Sequence, residues 1–136
     1  MMKPFVLRLK PGQDLKKELD SFLIENQIGA GCILTCVGSL VEANLRFANQ
    51  ENGTRLKGHF EIVSLTGMLS STGSHYHIAI ADEQGKVYGA HLLDGCEIYT
   101  TAEIAIMQFD EYQFERVMDP ASGYPELNPI RLNKKE

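Results

Sequence analysis

The stretch that decides the fold is residues 75–95, HYHIAIADEQGKVYGAHLLDG. Two β-prone runs flank a polar turn, and Gly85 stands where a three-residue hairpin loop needs a left-handed backbone. With Glu83, Gln84 and Gly85 as the loop, Asp82 pairs with Lys86. Counting back then sets His77 opposite His91 and His75 opposite Leu93. Side chains alternate across a strand, so one face carries Tyr76, Ile78, Ile80, Tyr88 and Leu92. The other carries His75, His77, Ala79, Gly89, His91 and Leu93. The first is a core face. The second is small and polar in its middle, as if a ligand, a metal or another subunit approaches there. A slip of one residue would send His91 to the wrong side and mix the two classes.

In that register three imidazoles can converge on one ion, because opposed residues lie about 5 Å apart at Cβ and diagonal ones about 7–8 Å. Imidazole nitrogens suit zinc, with a fourth position open to water; nickel, copper or iron are chemically possible. Glu103, in TTAEIAIM (100–107), is the nearest candidate for a carboxylate ligand or general base, provided its strand is adjacent. Two further readings stay open. The histidines can be hydrogen-bonded residues of a packed interface, or an acid–base set without metal. His59, beside Phe60, stands apart and reads as a surface histidine.

Upstream, PFVLRLKPG (4–12) reads as a strand closed by a Pro-Gly turn. Leu15, Leu19, Phe22 and Leu23 recur at helical spacing behind Asp14, a fitting N-cap, and residues 26–31 stop that helix. CILTCVGSLVEANLRFA (32–48) reads as two strands with a turn near Gly38–Ser39, and NQENGTRL (49–56) as a polar loop. GHFEIVSLTGMLS (58–70) alternates, with Phe60, Ile62 and Ser64 on one face and Glu61, Val63 and Leu65 on the other. CEIYTTAEIAIMQFD (96–110) reads as a long strand. The expected fold is α+β: a mainly antiparallel sheet of about seven strands with one principal N-terminal helix. One domain is expected over residues 1–118. A tail over 119–136 is expected to wrap the surface or to be partly disordered.

A chain of 136 residues fits one domain with a modest core. A formal net charge of −5 opposes binding to phosphate backbones, and the one dense basic cluster is the terminal RLNKKE (131–136). Cys32, Cys36 and Cys96 are odd in number, and no C-x-x-C spacing occurs, so they read as small apolar residues rather than a disulfide framework. No apolar run nears the roughly 18 residues of a membrane span, and the N-terminus lacks the pattern of a signal peptide. The expectation is a cytoplasmic protein with no membrane partner. No G-x-G-x-x-G, Walker A or G-x-S-x-G motif occurs. TGMLSSTGS (66–74) leads into a strand, which makes a poor phosphate cradle.

Taken in order, VGSL (37–40), LRFA (45–48), GHFEIVSLTGMLS, HYHIAIADEQGKVYGAHLLDGC (75–96) and TTAEI (100–104) resemble the PPC domain, the plant and prokaryote conserved domain. The match runs from about residue 5 to residue 115. The resemblance implies an α+β domain that assembles as a homotrimer. It implies a DNA or protein partner, since the plant proteins carry AT-hooks beside the domain. It also implies a partner-binding stretch at Gly58, His59, Phe60, Glu61, Ile62 and Val63, with His59 where the plant motif has arginine. A bound metal at H-x-H…H is expected of the prokaryotic branch. No AT-hook core of the Arg-Gly-Arg-Pro type occurs in this chain. A trimer would cover the small histidine face and could bring Glu103 from a neighbouring chain.

Two function classes follow. One is a homotrimeric binding module, DNA-binding or regulatory by resemblance, with a three-histidine site for a divalent metal, zinc first. The other is a metal-dependent small-molecule hydrolase or lyase. There His75, His77 and His91 would hold the ion, and Glu103 would be the catalytic base acting on an activated water.

Overall fold

The computed structural model of the chain describes residues 1–133. The last three residues of the basic cluster lie outside the described residues. The order of elements is β1 (Met2–Leu9), α1 (Leu15–Glu25), β2 (Gly31–Arg46), β3 (Thr54–Leu69), β4 (His75–Ala81), β5 (Val87–Leu92), β6 (Glu97–Phe109), β7 (Tyr112–Asp119) and β8 (Tyr124–Arg131). Six strands form one sheet in the order β1-β6-β2-β3-β4-β5, and β7 and β8 form a separate hairpin. Neighbours pair antiparallel throughout. The fold is the expected α+β arrangement, a mostly antiparallel sheet with one helix. No helix among the described residues is long and apolar enough to cross a membrane.

The end of the sheet does not stay open. Leu45 and Arg46 of β2 pair with Leu92 and His91 of β5. Strands β2 to β5 therefore close into a ring at that end, which removes an edge that would otherwise invite pairing with other chains.

The helix starts where the sequence places it. The Asp14 side chain accepts a hydrogen bond from the Lys17 backbone N–H at 3.0 Å, satisfying one of the amides the first turn leaves free. Leu15, Leu19 and Leu23 are fully buried against the sheet's inner face, with Leu40, Leu45, Ile80, Ile98, Ile104 and Ile106 in the same core. Burial of each leucine stabilises by about 2 kcal/mol, which dominates the docking of an 11-residue helix too short to persist alone. Tyr76 joins the core, and its hydroxyl donates to Asp20 Oδ1 at 2.9 Å. Lys16 holds the other oxygen of Asp20 at 2.7 Å. Because Tyr76 points inward, its neighbours His75 and His77 must point out.

Three local expectations change. Residues 31–46 form a single strand, not two strands around a turn. A Cβ at Gly38 would collide with the Thr101 carbonyl of β6, so this glycine marks a close strand approach, and the register shifts beside it. In β3 a bulge between Ile62 and Ser64 resets the alternation. Leu65 thereby joins Phe60 and Ile62 in the core, while Ser64 is exposed. Residues 124–131, within the 119–136 tail expected to wrap the surface or to be partly disordered, form β8 in register with β7. That hairpin is held to the body by the Phe114 backbone, whose N–H donates to Gly29 O at 2.9 Å and whose carbonyl accepts from Ser70 Oγ at 3.3 Å.

Candidate metal centre

The hairpin forms as its turn residues dictate. Asp82 N–H donates to Lys86 O at 2.9 Å, and Gly85 adopts φ +79°. His77 then pairs with His91, Ala79 with Gly89 and Ile80 with Tyr88. The pairing stops at His77–His91, short of the count. Leu93 does not pair with His75 but donates its N–H to Asn44 O of β2 at 3.2 Å, because β5 leaves β4 to close the ring.

All three histidines emerge on the outer face. His77 Nε2 lies 3.2 Å from His91 Nδ1. The ring centres of His75 lie 4.7 Å from those of His77 and 5.5 Å from those of His91. One nitrogen from each ring falls within 4.8 Å of the others. A tetrahedral zinc with Zn–N near 2.0–2.1 Å places its ligand nitrogens about 3.3 Å apart. The His77–His91 pair already has that spacing, and His75 needs only a side-chain adjustment to complete three corners. Burial, followed by the charge of His77, lowers the pKa of both His75 and His91 below the ordinary imidazole value. Both are neutral at pH 7, which leaves the lone pairs available to a metal.

The row through this site continues beyond the histidines. Thr66 pairs with His77, His77 with His91, and His91 with Arg46, across β3, β4, β5 and β2. These residues share the face, and with Ser64 and Gly89 they line an open cleft of about 360 Å³. Sequence reasoning missed Arg46. Nothing in LRFA says that β2 curls back to meet β5, and only that closure brings the arginine to the histidines. Arg116 of β7 also bears on His75 electrostatically, opposed by Glu126 of β8.

Other candidate residues lie elsewhere. Glu103 is on β6, opposite Arg8 of β1 and Val37 of β2, and is not brought to the histidines within one chain. In the stretch from Gly58 to Val63, Phe60 and Ile62 are core residues. Its surface is therefore His59, Glu61 and Val63, with Gly58 at φ +150°. His59 Nδ1 sits 3.1 Å from Glu83 of the hairpin turn and packs on Tyr99. The thiols stay protonated, since burial pushes Cys36 up to about 12 and Cys96 to about 11.

The model of the Plants and Prokaryotes Conserved (PCC) domain matches residues 1–110. The chain belongs to this family. The bifunctional protein GlmU of Synechococcus sp. (strain JA-3-3Ab) is 48% identical over 127 residues, which is 93% of this chain and 20% of that protein. The chain thus spans a fifth of that protein's length. AT-hook motif nuclear-localized protein 13 of Arabidopsis thaliana is 29% identical over 97 residues, 63% of this chain and 22% of that one. Among solved structures, a hypothetical protein of Salmonella enterica superposes with a TM-score of 0.94 at 40% identity, covering 96% of this chain and 95% of that one. The metal-containing protein AF0104 of Archaeoglobus fulgidus superposes with a TM-score of 0.78 at 28% identity, covering 93% of each chain.

Proposed function

We propose that the chain is a metal-holding PCC-domain module that works as a homotrimer in the cytoplasm. His75, His77 and His91 would take one divalent cation, zinc first, leaving one position open. The observation that carries this reading is the convergence of three imidazole nitrogens within 4.8 Å on one exposed face. The donor set fits: three nitrogen ligands, two of them neutral through burial, suit zinc better than calcium or magnesium. The Archaeoglobus relative, described as metal-containing, adds support. The trimer is supported by large apolar side chains on the outside of the sheet, Val6, Leu34, Val37 and Val63, each more than half exposed.

A DNA or protein partner belongs to this reading through family likeness to the plant AT-hook proteins. His59, Glu61 and Val63 are what the family's partner-binding stretch would present. Direct DNA binding has to overcome a net charge of −5 without an AT-hook. A salt-sensitive mobility shift would support it, and no shift at low salt would count against it.

The metal reading is tested by elemental mass spectrometry of untagged protein. About one equivalent per chain is expected. No metal, even after incubation with zinc, would return the histidines to interface residues.

The open position favours one second reading, a small-molecule hydrolase or lyase. A bound ion would supply Lewis acidity there. Glu103 of a neighbouring copy would be the general base, holding a proton taken from water or substrate.

A further inference from the structure

We infer that Arg46 turns the open side of the three-histidine centre into a site for a small oxyanion, a carboxylate or phosphate gripped by the guanidinium and the ion together. This rests on the metal reading proposed above and names the ligand class of the same cleft.

Three observations lead there. The first is position. Arg46 is fixed opposite His91 by the β2–β5 pairing and lines the same cleft as His77 and His91. The second is an unmet need. The Arg46 Nε is out of contact with water and has no hydrogen-bond partner among the described residues, and no carboxylate there forms an ion pair with this side chain. An Nε–H held so is costly unless something accepts its proton. The third is charge. Arg46 acts on both His75 and His91, while Arg116 and Glu126 act on His75 in opposite senses. A divalent ion would raise the positive charge further. Arg46 is the one formally charged side chain among the described residues that line the cleft, in a chain whose formal net charge is −5. The planar fork of arginine matches two oxygens of one carboxylate or phosphate. Ser64 and Thr66 add hydroxyl donors on the β3 side of the cleft. The cleft floor has room as well: a Cβ at Gly89 would meet nothing closer than 3.8 Å.

The test uses cobalt(II) in place of zinc, because its visible spectrum reports what enters the coordination sphere. Untagged full-length protein is loaded with cobalt and titrated with inorganic phosphate and, separately, with lactate. Wild type is expected to show a saturable spectral change with at least one of them, and the tighter of the two indicates a phosphate or a carboxylate source. Arg46→Gln is expected to keep its cobalt and weaken the anion by at least about tenfold. Arg46→Lys keeps the charge without the fork and should fall between the two, a gradation that a misfolded variant would not give. Equal anion affinity in wild type and Arg46→Gln, with cobalt bound in both, overturns the role of Arg46 and leaves the metal reading intact. Bound cobalt with no spectral response to either anion overturns the oxyanion site. Failure of wild type to bind cobalt overturns the metal reading and this inference with it.

Discussion

His77 Nε2 stands 3.2 Å from His91 Nδ1, on opposite strands of a hairpin whose register is locked by Gly85. That spacing follows from the turn, not from the histidines themselves. Replacing one ring should therefore leave the hairpin intact. His77→Ala is expected to weaken zinc binding at least about 100-fold, since lost second-shell contacts alone cost about 10–100-fold. The thermal midpoint of the metal-free protein should stay nearly unchanged, because the side chain is exposed. Calorimetric titration with zinc, alongside thermal melts, checks both. Undiminished zinc affinity would exclude His77 as a ligand.

Burial and neighbouring positive groups lower the pKa of His75 and His91. The sign of the pH dependence follows. Unfolded histidines take up protons near pH 6.5, and the folded ones do so only at lower pH. Metal-free stability is therefore full above about pH 6.5 and declines as pH falls toward the depressed folded values. Zinc affinity should be level around neutrality and fall on acidification, as protons compete for the lone pairs. Zinc titrations between pH 5 and 8 measure this. Affinity that rises on acidification would contradict neutral imidazole ligands.

Leu19 is fully buried between α1 and the sheet. Leu19→Ala removes that packing and leaves a cavity, at an expected cost of about 2–5 kcal/mol in urea unfolding. The helix holds Tyr76 of β4 through Asp20. The variant should thus soften the strand that carries His75 and His77. A loss below about 1 kcal/mol would mean that the helix docks by something other than its leucine stripe.

The hairpin was legible because one glycine and two clean faces agree on a single register. The helix was legible because a cap and a leucine stripe agree. Where such signals conflict, the sequence misleads. Gly38–Ser39 looks like a turn, yet the glycine serves a close approach to Thr101, a contact made with a strand more than sixty residues away. The bulge at Val63 moves Leu65 into the core without any local glycine or proline to announce it. Arg46 was invisible as a site residue for the same reason. Its place beside His91 depends on ring closure between β2 and β5, which is tertiary information. The histidine cluster needed only a local turn.

Val37 is 62% exposed and Val63 is 56% exposed, on strands that neighbour one another. In a lone chain Val37→Asp would exchange one solvated side chain for another and cost within about 0.5 kcal/mol. In a trimer it would bury a carboxylate without a partner, which costs several kcal/mol. The two situations separate cleanly in sedimentation or light scattering. Wild type is expected at the mass of three chains, and Val37→Asp at one chain with its far-UV spectrum preserved. If wild type already sediments as a monomer, these exposed valines have no second copy to cover them. Glu103, remote from the histidines within one chain, then loses the only route by which it could reach them.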